Sequence, residues 1–488
     1  MSGLGDITMK SLHSTMPELF LCVSAIILLM YGVYCRAKAD GMNQILALAV
    51  LALTMCFVVN NCAEPQTVMN GMFITDAFAC FGKVLILGAG ILVLLFSSGW
   101  LREEGGRPFE FIILMLFATL GMMFMVSAAD FLTLYIGLEM ASLSLYVLAS
   151  FQRDHAKSSE AGLKYFVLGA LASGMLLFGI SLVYGFTGTT SFDSLSALFG
   201  AGGEISKATI VGLIFIMVGF CFKLSAAPFH MWAPDVYEGA PTPVTAFFAT
   251  APKIAAFALF TRVLMQPFGE LLSQWQQVVI FAAIASMLVG ALAAIMQTNI
   301  KRLLAYSSIG HVGFIFMAIA AGSTEGVQAM LVYLALYIFM SAGAFGCVLA
   351  MRRGGEPVED IKSLAGLSQT QPFMAALLAV FMFSMAGIPP LAGFFGKMYV
   401  VLAAVKADLI WLAVLGVATS VIACYYYLKV VKVMYFDTPA KHFDADAPFA
   451  FRAAMIAAVL VTALFFLMPT PLVTGAKAAA DSLFVVAP

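Results

Sequence analysis

The sequence predicts an all-α polytopic membrane protein with about 14 transmembrane helices, two of them discontinuous, built around two inverted five-helix repeats. Three observations lead there: an apolar excess beyond the needs of a soluble core, a regular succession of span-length apolar runs, and basic residues gathered on one side of those runs. Of 488 residues, 62% are hydrophobic and 10% are charged, with a mean hydropathy of +1.00. Soluble domains carry about 45–50% apolar and about 25% charged residues. The surplus apolar surface must face lipid.

A helix needs about 20 apolar residues to cross a bilayer. Such spans are expected at 17–35, 43–60, 76–98, 109–127, 129–150, 162–187, 206–228, 240–266, 276–297, 302–321, 326–351, 372–405, 409–434 and 448–468, numbered 1 to 14 below. Span 12 is too long for one straight crossing, and Gly387, Ile388, Pro389 and Pro390 interrupt it. Span 7 runs past Lys223 to Pro228 and continues as FHMWAPDVYEG before Pro241 and Pro243 restart a helix. Proline removes a backbone donor and clashes with the preceding turn. Such gaps persist in a membrane only where they line protein or water.

Breaks at corresponding places in two halves point to inverted repeats with a site near the midplane. The expected halves are residues 109–266 (spans 4–8) and 276–434 (spans 9–13). Residues 1–108 supply spans 1–3 and 448–488 a last span and tail, all in one integral membrane domain. The stretch 191–199 reads as a short interfacial helix, and 351–372 as the longest polar connection.

Connections after odd-numbered spans hold fifteen Lys and Arg residues; the opposite side holds only Lys10, Lys207, Arg262, Lys406 and Lys477. Cytoplasmic loops carry the basic excess, so both termini are expected outside. The first residues lack a cationic stretch and a small-residue cleavage site, so no removable leader is expected.

The other five of the 25 basic residues, Lys83, Lys164, Lys223, Lys253 and Lys397, lie within spans, where Glu139 is the one deep acid. Each charge at mid-bilayer costs about 2.5–3.5 kcal/mol on insertion scales. They must face the bundle interior, paired or hydrated. Lysine, unlike arginine, can readily release its proton, and a lysine whose proton affinity follows the distance to a carboxylate suits a proton pump.

Glu139, one helical turn from Tyr135 and Ser142, reads as pairing with Lys223 on a neighbouring helix. Lys164, with Glu160 at i−4, either snorkels or bridges Glu139 towards Lys223. Lys253 sits mid-run in span 8, Lys397 follows the span 12 break, and Lys83 has Asp76 two turns before it. The competing reading of all these charges is static pairing that sets helix register. His230 after the span 7 break and His311 in span 10 are candidate proton relays, since a neutral imidazole with a pKa near 6.5 suits the task. Satisfied core histidines read equally well.

Other chemistry is not indicated. A net charge of −1 without a basic run argues against nucleic acid. The eight cysteines are scattered singly with no C-x-x-C, so neither an iron–sulfur site nor a zinc ribbon is expected, and they read as small apolar packers. No H-x-x-x-H or carboxylate cluster suggests a metal, and no phosphate loop occurs.

The segments KLSAAPFHMWAPDVYEGAPTPVTAFFATAPKIAAFAL, TNIKRLLAYSSIGHVGF and MAGIPPLAGFFGKMYV closely resemble the subunit N family of bacterial respiratory complex I (NADH–quinone oxidoreductase). These antiporter-like subunits are the counterparts of mitochondrial NADH dehydrogenase subunit 2, and the resemblance covers essentially the whole chain. The P-F-H-x-W-x-P-D core is common to all antiporter-like subunits and Mrp-type antiporters. VYEGAPTPVTAFFATAPKIA discriminates, because subunits L and M and the Mrp antiporters usually carry a histidine in this part of span 8, where this chain has Lys253.

The resemblance implies a proton-translocating subunit of a redox-driven translocase. Glu139 and Lys223 would be the switching pair of a first half-channel, Lys164 its modulator, Lys253 the central link and Lys397 part of a second half-channel. It also implies no cofactor of its own: FMN, iron–sulfur clusters and quinone would belong to partner subunits. The partners would be other membrane subunits of the complex, neighbouring antiporter-like subunits included, and the place a bacterial inner membrane with both termini periplasmic. Two rival readings are an autonomous Mrp-type cation/proton antiporter, which needs cation ligands near the breaks, and a passive structural spacer.

Overall fold

The computed structural model describes residues 9–35, 40–62, 65–103, 108–202, 205–444 and 448–484. Helices dominate them, as expected. Twelve are long and apolar enough to cross a membrane, from Met16–Cys35 to Phe449–Leu467. Polar caps start many of them. Asp76 accepts from the Ala79 N–H at 2.6 Å, Asp130 from Leu132 at 2.7 Å, and Asn299 from Lys301 at 2.8 Å. Each cap satisfies a donor the first helical turn leaves orphaned.

The two stretches read as discontinuous are broken where the prolines stand. Span 7 consists of Lys207–Lys223 and Trp232–Gly239, and span 12 of Pro372–Ala386 and Ala392–Lys406. A third interruption was not foreseen: span 8 divides into Thr242–Phe248 and Ala251–Met265. Pro252 has no N–H to offer the Phe248 carbonyl, and Thr250 Oγ lies 2.9 Å from the Ala246 carbonyl oxygen, partly filling the gap. The signal was Pro252 itself, and the consequence is that Lys253 sits in the first turn of a helix.

Burial orders the bundle. In Thr242–Met265 and Thr324–Leu349, 94% of an 18-residue apolar stretch is buried inside the protein, against 28% in Met16–Cys35. Spans 8, 10 and 11 therefore form the centre, and spans 1, 2, 13 and 14 present apolar side chains such as Ile27, Leu53 and Val421 outward. Helices of this kind approach closely only across small residues. A Cβ on Gly121 of span 4 would meet the Ala141 backbone of span 5, and one on Gly290 of span 9 the Gly310 backbone of span 10.

Several expectations need correction. Two short antiparallel hairpins interrupt the all-helical pattern: Gln66–Val68 with Phe73–Thr75, and Arg352–Arg353 with Glu356–Pro357. The tail holds a further helix, Thr470–Phe484, whose Val473 carbonyl accepts from Gln328 of span 11 at 3.2 Å. Cys62 and Cys80 are not independent packers; they form a disulfide, with Cα atoms 5.9 Å apart. The expected short helix after span 6 is present as Phe192–Gly200.

Charges placed in loops are also found inside. Arg262 is fully buried and grips Asp76 with two 2.8 Å hydrogen bonds, while Lys301 donates to the Ala240 carbonyl at 2.7 Å and to Glu359 at 2.9 Å. Nor is Glu139 the one acid within: Glu18, 1% exposed, pairs with Lys83 at 2.6 Å. Lys83 takes Glu18 rather than Asp76 because Asp76 is already committed to its cap and to Arg262.

Candidate functional site

Buried polar groups form a row from Lys253 past Ser308 and His311 to Lys397, and a further set gathers around Lys223, all beside helix breaks. In that set, Lys223 closes the helix Lys207–Lys223. Its Nζ donates to Ser142 Oγ at 2.7 Å and Tyr146 OH at 3.0 Å, both on one face of span 5. Ser142 spends its own proton on the Leu138 carbonyl at 2.6 Å, which leaves its lone pairs to the ammonium. Glu139, one turn earlier on span 5, accepts instead from Ser173 Oγ of span 6. The expected contact between Glu139 and Lys223 is thus not made in this arrangement, because Ser142 and Tyr146 take the ammonium. Glu139, Ser142 and Tyr146, at i, i+3 and i+7, nevertheless share one face of span 5.

Lys164 does not bridge Glu139 to Lys223. It pairs with Glu160 and Asp235, each at 2.7 Å. Asp235 also holds Arg302 at 2.7 Å, and Glu238 holds Arg302 at 3.2 Å and Lys157 at 3.1 Å. This network lines a cavity of about 120 Å³ beside the second half of span 7. Trp232 stabilises that segment by stacking on Tyr165 at 4.5 Å and donating from its indole to the Phe222 carbonyl at 2.9 Å. Asp235 lay in plain view in the P-F-H-x-W-x-P-D stretch, yet its neighbours come from spans 6 and 10.

Lys253 occupies the centre and is 3% exposed. Its Nζ donates to Ser308 Oγ and lies 6.0 Å from the centre of the Tyr237 ring. Ser308 in turn meets Tyr337 OH at 2.7 Å. One turn further along span 10, His311 Nδ1 meets Tyr333 OH at 2.6 Å and Nε2 meets Tyr427 OH at 3.2 Å, and Tyr427 contacts Ser307. His311 is therefore brought into the row. His230 is not: it is half-buried at the span 7 break, and its Nδ1 has no hydrogen-bond partner.

At the far end, Lys397 depends on the span 12 break. Its Nζ donates to the Met385 and Ala386 carbonyls, each at 3.0 Å, and to Ser420 at 2.8 Å. Those carbonyls end the helix Pro372–Ala386, so they are orphaned, and the helix dipole adds negative potential there. Gly387, with φ of 89°, makes the turn, and a Cβ on it would press on the Lys397 side chain. His311 and Lys397 line a shared cavity of about 10 Å³, the threshold for one water.

The row suits proton movement between groups that both donate and accept: hydroxyls, an imidazole and amines. Among the described residues, no group of three His, Cys, Asp or Glu could hold a metal ion. Sequence reasoning placed Ser142 only as a helical neighbour of Glu139 and missed the linking hydroxyls Tyr146, Ser173, Ser308, Tyr333, Tyr337 and Tyr427. A faint signal existed in Ser308, three residues before His311, and Ser142, three after Glu139.

The family described as NADH:quinone oxidoreductase/Mrp antiporter matches residues 128–423, which include Glu139, Lys164, Lys223, Lys253 and Lys397. The chain is 56% identical over 474 residues to NADH-quinone oxidoreductase subunit N of Rhodospirillum rubrum, covering 97% of each chain. It is 55% identical over 478 residues to the subunit N of Paramagnetospirillum magneticum, covering 97% and 98%. A chain of respiratory complex I from Thermus thermophilus superposes with a TM-score of 0.82 at 32% identity, over 95% of this chain and 99% of that one. A chain of the Mrp complex from Dietzia superposes with a TM-score of 0.83 over 97% of this chain and 98% of that one, but at 22% identity this likeness concerns the fold alone. The chain belongs to the NADH:quinone oxidoreductase/Mrp antiporter membrane family and, within it, to the subunit N family of NADH-quinone oxidoreductase.

Proposed function

We propose that this chain is a proton-translocating membrane subunit of respiratory NADH–quinone oxidoreductase. The observation that carries the proposal is Lys253, held by Ser308 among the most buried spans, with Lys223 and Lys397 flanking it at two helix breaks. A purely structural bundle gains nothing from lysines at three such places. Glu139 and Lys223, now separately hydrogen-bonded, are the switching pair. Lys164 tunes it through Asp235, Lys253 links the halves, and Lys397 serves the far half. His311 relays between Lys253 and Lys397, while His230 stands apart at the break.

Moving one proton against 100 mV takes about 2.3 kcal/mol. Redox energy released in partner subunits supplies it, through the Glu139 to Lys223 separation. Those partners carry the FMN, iron–sulfur clusters and quinone, and they include neighbouring antiporter-like subunits. The chain lies in a bacterial inner membrane with both termini periplasmic, as residues 109–266 and 276–434 forming two inverted repeats between spans 1–3 and a last span.

The test is proton uptake per NADH in vesicles carrying the whole complex with Lys223→Ala or Glu139→Gln. Assembly should persist while pumping drops. Unchanged pumping would leave a passive spacer. Cation flux through the chain alone, without NADH, would instead favour an autonomous antiporter.

A further inference from the structure

The connection between spans 2 and 3 carries a covalent feature that proton transfer does not use. Cys62 lies two residues past the helix of span 2, Asp40–Asn60, and Cys80 in the first turn of span 3, 18 residues on, with Cα atoms 5.9 Å apart. That separation falls within the range disulfides occupy. The other six cysteines are free. Between the pair lies the hairpin of Gln66–Val68 and Phe73–Thr75, docked on the end of span 4 by Ile74 N–H to the Ser127 carbonyl at 2.9 Å and Ala129 N–H to the Met72 carbonyl at 3.2 Å.

The hairpin roofs two buried ion pairs. Phe73 is 1% exposed, and its ring centre lies 4.9 Å from the Lys83 ammonium that pairs with Glu18. Asp76, just after the hairpin, holds Arg262. Ser14, before span 1, donates to Gln66 at 2.8 Å. Buried pairs of this kind tolerate no loss of a partner, so whatever holds the roof protects them.

Disulfides persist in oxidising compartments and not in the cytosol. The asymmetry of basic residues independently puts this even-numbered connection on the non-cytoplasmic side. We infer that Cys62 and Cys80 are oxidised to a disulfide in the periplasm, where it acts as a staple pinning the hairpin over the Glu18, Lys83, Asp76 and Arg262 charges. The compartment rests on the orientation proposed above. In forming, the two thiols give up two protons and two electrons: one thiolate attacks the disulfide of a periplasmic thiol-oxidising protein, the second resolves the mixed disulfide, and the donor leaves as a dithiol.

Cells are quenched in acid, denatured and alkylated with N-ethylmaleimide, and the digested subunit is read by mass spectrometry. A peptide pair linked through Cys62 and Cys80, unlabelled until dithiothreitol is added, is expected. Alkylation of both thiols without reductant would overturn the inference. In a separate strain, Lys477→Cys in the tail reports orientation by its reaction with an impermeant maleimide. Labelling in spheroplasts supports a periplasmic site; labelling only in inverted vesicles overturns the compartment, whatever the state of Cys62 and Cys80. The staple is tested by hydrogen exchange on the whole complex before and after mild reduction, and in Cys62→Ala. Amides of 66–75 should exchange at least about tenfold faster once the loop is open, and unchanged exchange would refute the pinning role.

Discussion

Ser308→Ala is the sharpest perturbation of the row, because one small hydroxyl serves both Lys253 and Tyr337. Alanine fits the space, so packing around the 2%-exposed side chain is preserved. What is lost is a hydrogen bond to a charged group, about 1.5–3 kcal/mol. At about 1.4 kcal/mol per tenfold, transfer through this link should slow by about 10- to 100-fold. The assay is proton uptake per NADH in vesicles, alongside NADH–quinone turnover and the intactness of the purified complex. Ser308→Thr restores the hydroxyl and should recover most of the pumping, whereas a merely structural role would respond to side-chain volume instead. An intact Ser308→Ala complex pumping at the wild-type ratio and rate would refute the reasoning that Lys253 works through Ser308.

Two further perturbations probe the scaffold. Removing one member of the buried pair, by Glu18→Gln or Lys83→Met, should destabilise the chain by about 3–5 kcal/mol, and the double variant by clearly less; thermal unfolding in detergent measures this, and strict additivity would show that the two side chains do not interact. In the second hairpin, backbone N–H groups of Gly354 and Gly355 donate to Asp444 at 3.1 and 3.0 Å and hold its carboxyl below the usual range. Because the folded value is lowered, the clamp is complete above the ordinary carboxylate pKa of about 3.9 and is lost as pH falls through the lowered value; protection of the two glycine amides should follow that course, and Asp444→Asn should abolish the dependence.

Much of this organisation was legible in the sequence. Span placement follows from run length, since a bilayer admits only backbone that satisfies its own hydrogen bonds. The breaks of spans 7 and 12 follow from Pro228, Pro389 and Pro390, and the break before Lys253 was equally available from Pro252. The lysines stood out because charge inside a membrane is rare. The P-F-H-x-W-x-P-D stretch and Lys253 carried the family.

Which partner each charge takes was not legible. A soluble helix shows its buried face by the spacing of apolar residues, but a membrane helix is apolar all round, so its rotation about its own axis is unmarked. That rotation decides that Lys83 meets Glu18, that Arg262 turns inward to Asp76, and that Lys164 finds Asp235 rather than Glu139. It also decides that Ser308 and Tyr337, from separate spans, stand on either side of one hydrogen bond. The residues alone specified a helical membrane protein with five interior lysines, two of them, Lys223 and Lys397, beside proline breaks. Only packing, which sets every helix's rotation at once, decided the row of hydroxyls and the His311 ring that lie between them.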